Sequence, residues 1–253
     1  MFGRRKIAAL AAEFLGTSVL TLLVLSVQRS TIGVPFFVAI AAGLSVIIMT
    51  FAVGSTSGAF FNPAITIAMW TARKVSTLTA VLYIAMEFLG GWASYAIYKY
   101  LSHAPLAAVG GHFSGRILVA EAIGTGIFAF GLAGVVYQRF SAAAAATIAG
   151  LAFTVGIIAA SPAAIGILNP AVALGIRAWV WGTYVLGPVL GAVIGLNLYG
   201  LLFAEPGALA TVGAGASAEA VVFSKTTTAT AVAAPKKRTT KKSAAKKTTR
   251  AKK

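Results

Sequence analysis

The sequence predicts an all-α membrane protein, with six transmembrane helices and two re-entrant half-helices related by an inverted repeat. Three observations carry that prediction. The chain is 58% hydrophobic and only 10% charged, where a soluble domain would carry about 25% charged residues, and its apolar residues come in blocks of spanning length. The triplet Asn62-Pro63-Ala64 recurs as Asn169-Pro170-Ala171. The segment after each triplet is apolar yet too short to cross a bilayer core of about 30 Å.

The repeat has three landmarks in one order. Ala12-Glu13-Phe14-Leu15-Gly16-Thr17 precedes the first triplet, and Ala120-Glu121-Ala122-Ile123-Gly124-Thr125 precedes the second. Gly43-Leu44 and Gly150-Leu151 lie between. Each landmark recurs at an offset of 107 or 108 residues, which is an internal repeat rather than chance punctuation by turns.

In chain order, the basic leader Met1 to Lys6 precedes an apolar run from Ile7 to Gln28. That run is too long for a signal-peptide core and ends without a clean cleavage site, so it reads as a retained first helix. The second helix is expected over about Val34 to Val53 and the third over Thr77 to about Tyr100. Ser102 to Arg116, with His103, Pro105 and His112, reads as the loop joining the repeats. The fourth, fifth and sixth helices fit Arg116 to Tyr137, Ala142 to Ala160 and Trp181 to Phe203. The half-helices are expected over Asn62 to about Ala72 and Asn169 to about Trp179, near the bilayer midplane. The channel domain is thus 1–204, with repeat one at about 7–100 and repeat two at about 116–204. Residues 205–253 form a Lys-rich tail.

Three spans per repeat put the two halves in opposite senses. Arg4, Arg5, Lys6, Arg73, Lys74, Arg139 and the tail fall on one side, against Arg29, Lys99, Arg116 and Arg177 on the other. The bias places both termini in the cytoplasm, with the plasma membrane as the expected site.

Asn caps helices well and Pro suits the first helical position, so each Asn-Pro starts a half-helix. The Asn oxygen accepts from the first turn, which leaves the side-chain NH2 to offer two donors to a passing molecule. Two helix N-termini facing each other favour an uncharged oxygen and repel cations. The competing reading is a pair of ordinary loop turns. Glu13 and Glu121 lie within apolar helices, where a carboxylate needs a partner. They read as supports for the backbone N–H groups of the re-entrant loops, with a proton relay as the alternative. Glu87 has no such counterpart, since Gly187-Pro188 aligns near Leu89-Gly90; a partner inside the helix bundle is the expected role.

These paired motifs, with Ser57-Gly58-Ala59 before Asn62 and Gly187-Pro188 in the last helix, resemble the aquaporin and aquaglyceroporin (major intrinsic protein) family over about residues 5 to 204. The resemblance implies a homotetramer with a pore in each subunit. It also implies a selectivity filter, whose positions fall on Ala42, Ile157, Gly166 and Val172. The family usually has Arg at the position of Val172 and His at that of Phe60, a pore-lining candidate. Ala173 replaces an Asp common in glycerol channels. A filter without Arg is wider and drier. Arg177 could reach toward the vestibule or simply face headgroups, and His103 and His112 could gate a mouth or simply be solvated.

From Lys225 to Lys253 the tail holds 11 basic and no acidic residues. It cannot bury a core. Contact with anionic lipid is its expected role, with nucleic acid as the lesser option. The functions expected are a passive channel for water or small neutral solutes, or a facilitator for glycerol, urea or dissolved gas. Of another class is a membrane-anchored protein binding polyanions through its tail. No nucleophile–base or metal constellation is present, no Cys occurs, and no cofactor or enzyme activity is expected.

Overall fold

The computed structural model describes residues 3–29, 35–104, 106–108, 111–138 and 140–204. The described elements are all helical: α1 (Arg4–Arg29), α2 (Pro35–Ser57), α3 (Pro63–Thr71), α4 (Thr77–Ser102), α5 (Gly115–Gln138), α6 (Ala142–Ala160), α7 (Pro170–Gly175) and α8 (Leu186–Phe203), the last entered through a π turn at Trp181–Val185. Six of these helical segments are long and apolar enough to cross a membrane. The tail, Pro105 and Arg139 lie outside the described residues.

Local sequence sets the boundaries. Ser76 accepts from Thr79 N–H to start α4, and Ser141 accepts from Ala144 N–H to start α6, satisfying first-turn donors. The π turn before α8 follows from Pro188. It has no N–H for the carbonyl four residues earlier, at Tyr184, so the helix adjusts its first turns there.

Small residues set the packing. A Cβ on Gly43 would lie 2.7 Å from the Gly150 carbonyl oxygen, and one on Gly150 would strike the Gly43 carbonyl oxygen. The Gly-Leu landmarks of the two repeats therefore touch, and α2 crosses α6 at backbone distance. In the first repeat, Gly90 of α4 packs on the Phe14 carbonyl of α1; in the second, Gly191 of α8 packs on the Ala122 carbonyl of α5. Phe14 and Ala122 are 108 residues apart, so Gly90 matches Gly191. Glu87 then corresponds to Pro188. This corrects the alignment expected from sequence by a few residues, because the contact and not the Gly-Pro pair sets the register.

Both half-helices end alike. Lys74 N–H reaches the Met69 carbonyl and Ala178 N–H the Ala173 carbonyl, with Arg73 (φ 57°) and Arg177 (φ 59°) left-handed between. These are 6→1 closures of the kind that stop a helix. In the second repeat the closure comes early, so α7 has 6 residues and α3 has 9; the sequence had suggested about eleven for both.

Candidate functional site

The site is built where α3 and α7 begin. Asn62 Oδ1 accepts from Ala64 N–H at 2.9 Å. Asn169 Oδ1 accepts from Ala171 N–H at 2.9 Å and Val172 N–H at 3.3 Å. The amide groups are not wholly free, as the sequence had suggested. Asn62 Nδ2 donates to the Leu168 carbonyl at 2.9 Å, and Asn169 Nδ2 donates to the Phe61 carbonyl at 2.8 Å. Each turn thus braces the other, and one of the two hydrogens on each Nδ2 is spent on the brace. Both Asn residues are buried.

The brace needs the carbonyls of Phe61 and Leu168 to point across the interface. Both residues are left-handed, at φ 49° and 54°, a conformation costing about 1–2 kcal/mol for a residue with a side chain. Two features offset that cost. Glu13 accepts from the N–H groups of Phe60 at 3.1 Å and Phe61 at 2.6 Å. Glu121 accepts from Ile167 at 3.0 Å and Leu168 at 2.7 Å. The glycine of each Glu-containing motif then makes room for the twisted residue. A Cβ on Gly16 would strike the Phe61 ring, and one on Gly124 would lie 2.7 Å from Leu168 Cδ2. The carboxylates and glycines of the two motifs are therefore one device, used twice, to hold the turn.

Glu87 adds a second carboxyl to the first turn only. Its Oε1 accepts from Asn62 N–H at 3.1 Å and from the Thr66 hydroxyl at 2.7 Å. Sequence reading expected a partner inside the helix bundle without naming it; the signal that points to this face is the helical spacing of Glu87 from Tyr83 and Gly90, which share its buried face.

Beside the second turn lies a cavity of about 520 Å³, whose lining includes neither Asn62 nor Asn169. Ala42, Ile157, Gly166 and Val172 all line it, with Val24, Gln28, Phe153 and Ile176. Among the described residues no charged side chain lines it. Four residues from α2, α6, the loop before α7 and α7 itself are thus brought to one wall.

Comparison with known proteins agrees with this geometry. Residues 4–199 match the family described as major intrinsic protein. The chain belongs to the major intrinsic protein family. Among the relatives of this major intrinsic protein are aquaporin Z of Photorhabdus laumondii, 30% identical over 78% of this chain and 97% of that protein, and aquaporin AqpM of Methanothermobacter thermautotrophicus, 32% identical over 69% and 77%. The aquaglyceroporin of Plasmodium falciparum has a similar fold, with a TM-score of 0.66 at 21% identity, over 78% of this chain and 96% of that one. The protein is an integral, multi-pass membrane channel and not an enzyme. The comparisons give no support to a polyanion-binding function.

The remaining candidates are placed as follows in this major intrinsic protein. Arg177 Nη1 donates to the Leu106 carbonyl at 2.6 Å, with its guanidinium 6.0 Å from the Tyr95 ring centre. It pins a loop and is not among the residues lining the cavity. Phe60 is buried edge-on against Tyr83 at 5.8 Å and is likewise outside the cavity wall. His103 closes α4 in a left-handed conformation, and both His103 and His112 are exposed. Sequence reasoning missed Lys74, which is buried with Nζ 4.7 Å over the Tyr137 ring. Burial lowers its pKa from the ordinary lysine value.

Proposed function

We propose that each subunit passes water and small neutral solutes along a path through the Ala42, Ile157, Gly166 and Val172 constriction and past the paired Asn turns. One observation carries this reading: those four residues, with no charged side chain among the described residues, line a single cavity beside the Asn169 turn. The second hydrogen of each Asn Nδ2 supplies the donors, and the opposed starts of α3 and α7 supply a field that disfavours cations. Val172 removes the charge and the donor pair that an Arg would bring, so the filter discriminates little by hydrogen bonding. That same observation favours a second reading, passage of glycerol, urea or dissolved gas beside water.

The channel works as a homotetramer in the plasma membrane with both termini cytoplasmic, an orientation supported by the distribution of basic residues. The tail, 205–253, meets anionic lipid at the inner leaflet.

Stopped-flow light scattering on proteoliposomes under water, glycerol and urea gradients tests the proposal. Permeability above that of empty liposomes is expected for water and for at least one solute. None above that level would refute it. A chain ending at Phe203 is expected to conduct as the full chain does, which separates transport from the tail.

A further inference from the structure

The two Asn turns are held differently. Glu121 takes the consecutive N–H groups of Ile167 and Leu168, and Pro188 stands where the first repeat has Glu87. In the first repeat, Glu13 takes the Phe60 and Phe61 N–H groups. Glu87 Oε1 takes Asn62 N–H and Thr66 Oγ1. Glu87 Oε2 is fully buried and receives no donor. The Glu13 and Glu87 carboxyls take the consecutive N–H groups of Phe61 and Asn62, so the two lie side by side behind the turn.

Two carboxylates cannot bond to each other, because neither has a donor; a carboxylic acid and a carboxylate can. The distribution of donors says which is which. Glu13 receives a backbone N–H at each oxygen and suits the ionised form. Glu87 keeps one buried oxygen with nothing to accept. Among the described residues no donor bonds to that oxygen. Among the described residues the buried charged side chains are Glu13, Lys74, Glu87 and Glu121. Lys74 lies over the Tyr137 ring of α5, and Glu121 holds the other turn. On α4 itself, Tyr83 gives its hydroxyl to the Ser57 carbonyl at 2.9 Å. From α3 comes only the Thr66 hydroxyl.

We propose that Glu87 is a positioning residue in its acid form, donating from Oε2 to Glu13, so that the two hold one proton and a single negative charge behind the Asn62 turn. The proton fills the position that otherwise leaves Glu87 Oε2 unpaired, and it fixes the oxygen that receives Asn62 N–H. The second turn has no such pair, so the two Asn donors rest on supports of different chemistry. The shared proton is independent of which solute the channel passes.

Infrared spectroscopy of the full chain in lipid, at neutral pH, tests it without transport. The wild type is expected to show a carboxylic-acid C=O stretching component that shifts in D2O and is lost in Glu87→Gln. An unchanged spectrum in Glu87→Gln would overturn the proposal. Folding stability provides the second test. Gln at 87 still donates an N–H to Glu13, so Glu87→Gln should keep its unfolding temperature close to that of wild type. Glu13→Gln replaces one of the two oxygens that accept from Phe60 and Phe61 N–H with an NH2 donor, and should unfold at a clearly lower temperature. The reverse ranking, or equal loss in both variants, would contradict an acid at Glu87 and a carboxylate at Glu13.

Discussion

At the scale of single residues, the Asn side chains hold the two halves together. Asn169→Ala removes a cap worth about 0.5–2 kcal/mol and a cross-loop bond worth about 0.5–1.5 kcal/mol. Thermal unfolding in detergent should drop accordingly, and Asn62→Ala should behave alike. Lys74 has a pH signature. Burial favours its neutral form in the fold, so the unfolded chain binds the proton more tightly there. Stability contributed at this position therefore rises with pH between the lowered value and about 10.4, the ordinary lysine value. The difference in unfolding temperature between wild type and Lys74→Gln should grow in favour of wild type through that window; a flat difference would count against the buried placement. The capping role of both Asn residues was legible in the sequence, because Asn-Pro at a helix start is a local pattern. The bracing bonds to Phe61 and Leu168 were not, since they depend on where left-handed backbone points two carbonyls.

At the scale of elements, glycines decide which helices can meet. Gly43→Ala would drive a methyl into Thr154 Oγ1 and set it 2.7 Å from the Gly150 carbonyl. Such overpacking costs about 1–3 kcal/mol, and circular-dichroism melting should register it. Glu121→Ala would strand the N–H groups of Ile167 and Leu168 in a buried loop, at about 1–3 kcal/mol for each unpaired group. That variant should lose more stability than Gly43→Ala and should conduct poorly, because the Asn169 turn loses its support. The spans and the role of Glu121 could be read from apolar block length and from an acidic residue at the matching position of each repeat, Glu13 and Glu121. The early end of α7 could not. It depends on the left-handed closure at Arg177, and an arginine there carries none of the usual glycine signal for a helix stop. The π turn before α8 was foreshadowed by Pro188, but a proline in a spanning helix has several local outcomes.

At the scale of the whole molecule, the inverted repeat explains why the fold was readable from three short motifs. Each motif has one physical role. Glutamate and glycine hold a twisted turn, a glycine brings α2 to α6, and Asn-Pro starts a half-helix. Because each role occurs twice, sequence recurrence reports the architecture directly. What recurrence cannot report is where the halves differ, and both unanticipated features of the site, Glu87 and the length of α7, are such differences. The wall of the cavity is the third departure, read from spacing once the resemblance had been noted, with Val172 in the place of an arginine. The central claim is that this uncharged wall is the path's constriction. Val172→Arg, reconstituted beside wild type and followed by stopped-flow swelling, tests it most directly. Water permeability is predicted to stay measurable while passage of glycerol and urea falls by about tenfold or more, a barrier of at least about 1.4 kcal/mol. Solute permeabilities equal to wild type in a correctly folded variant would show that residue 172 does not line the constriction.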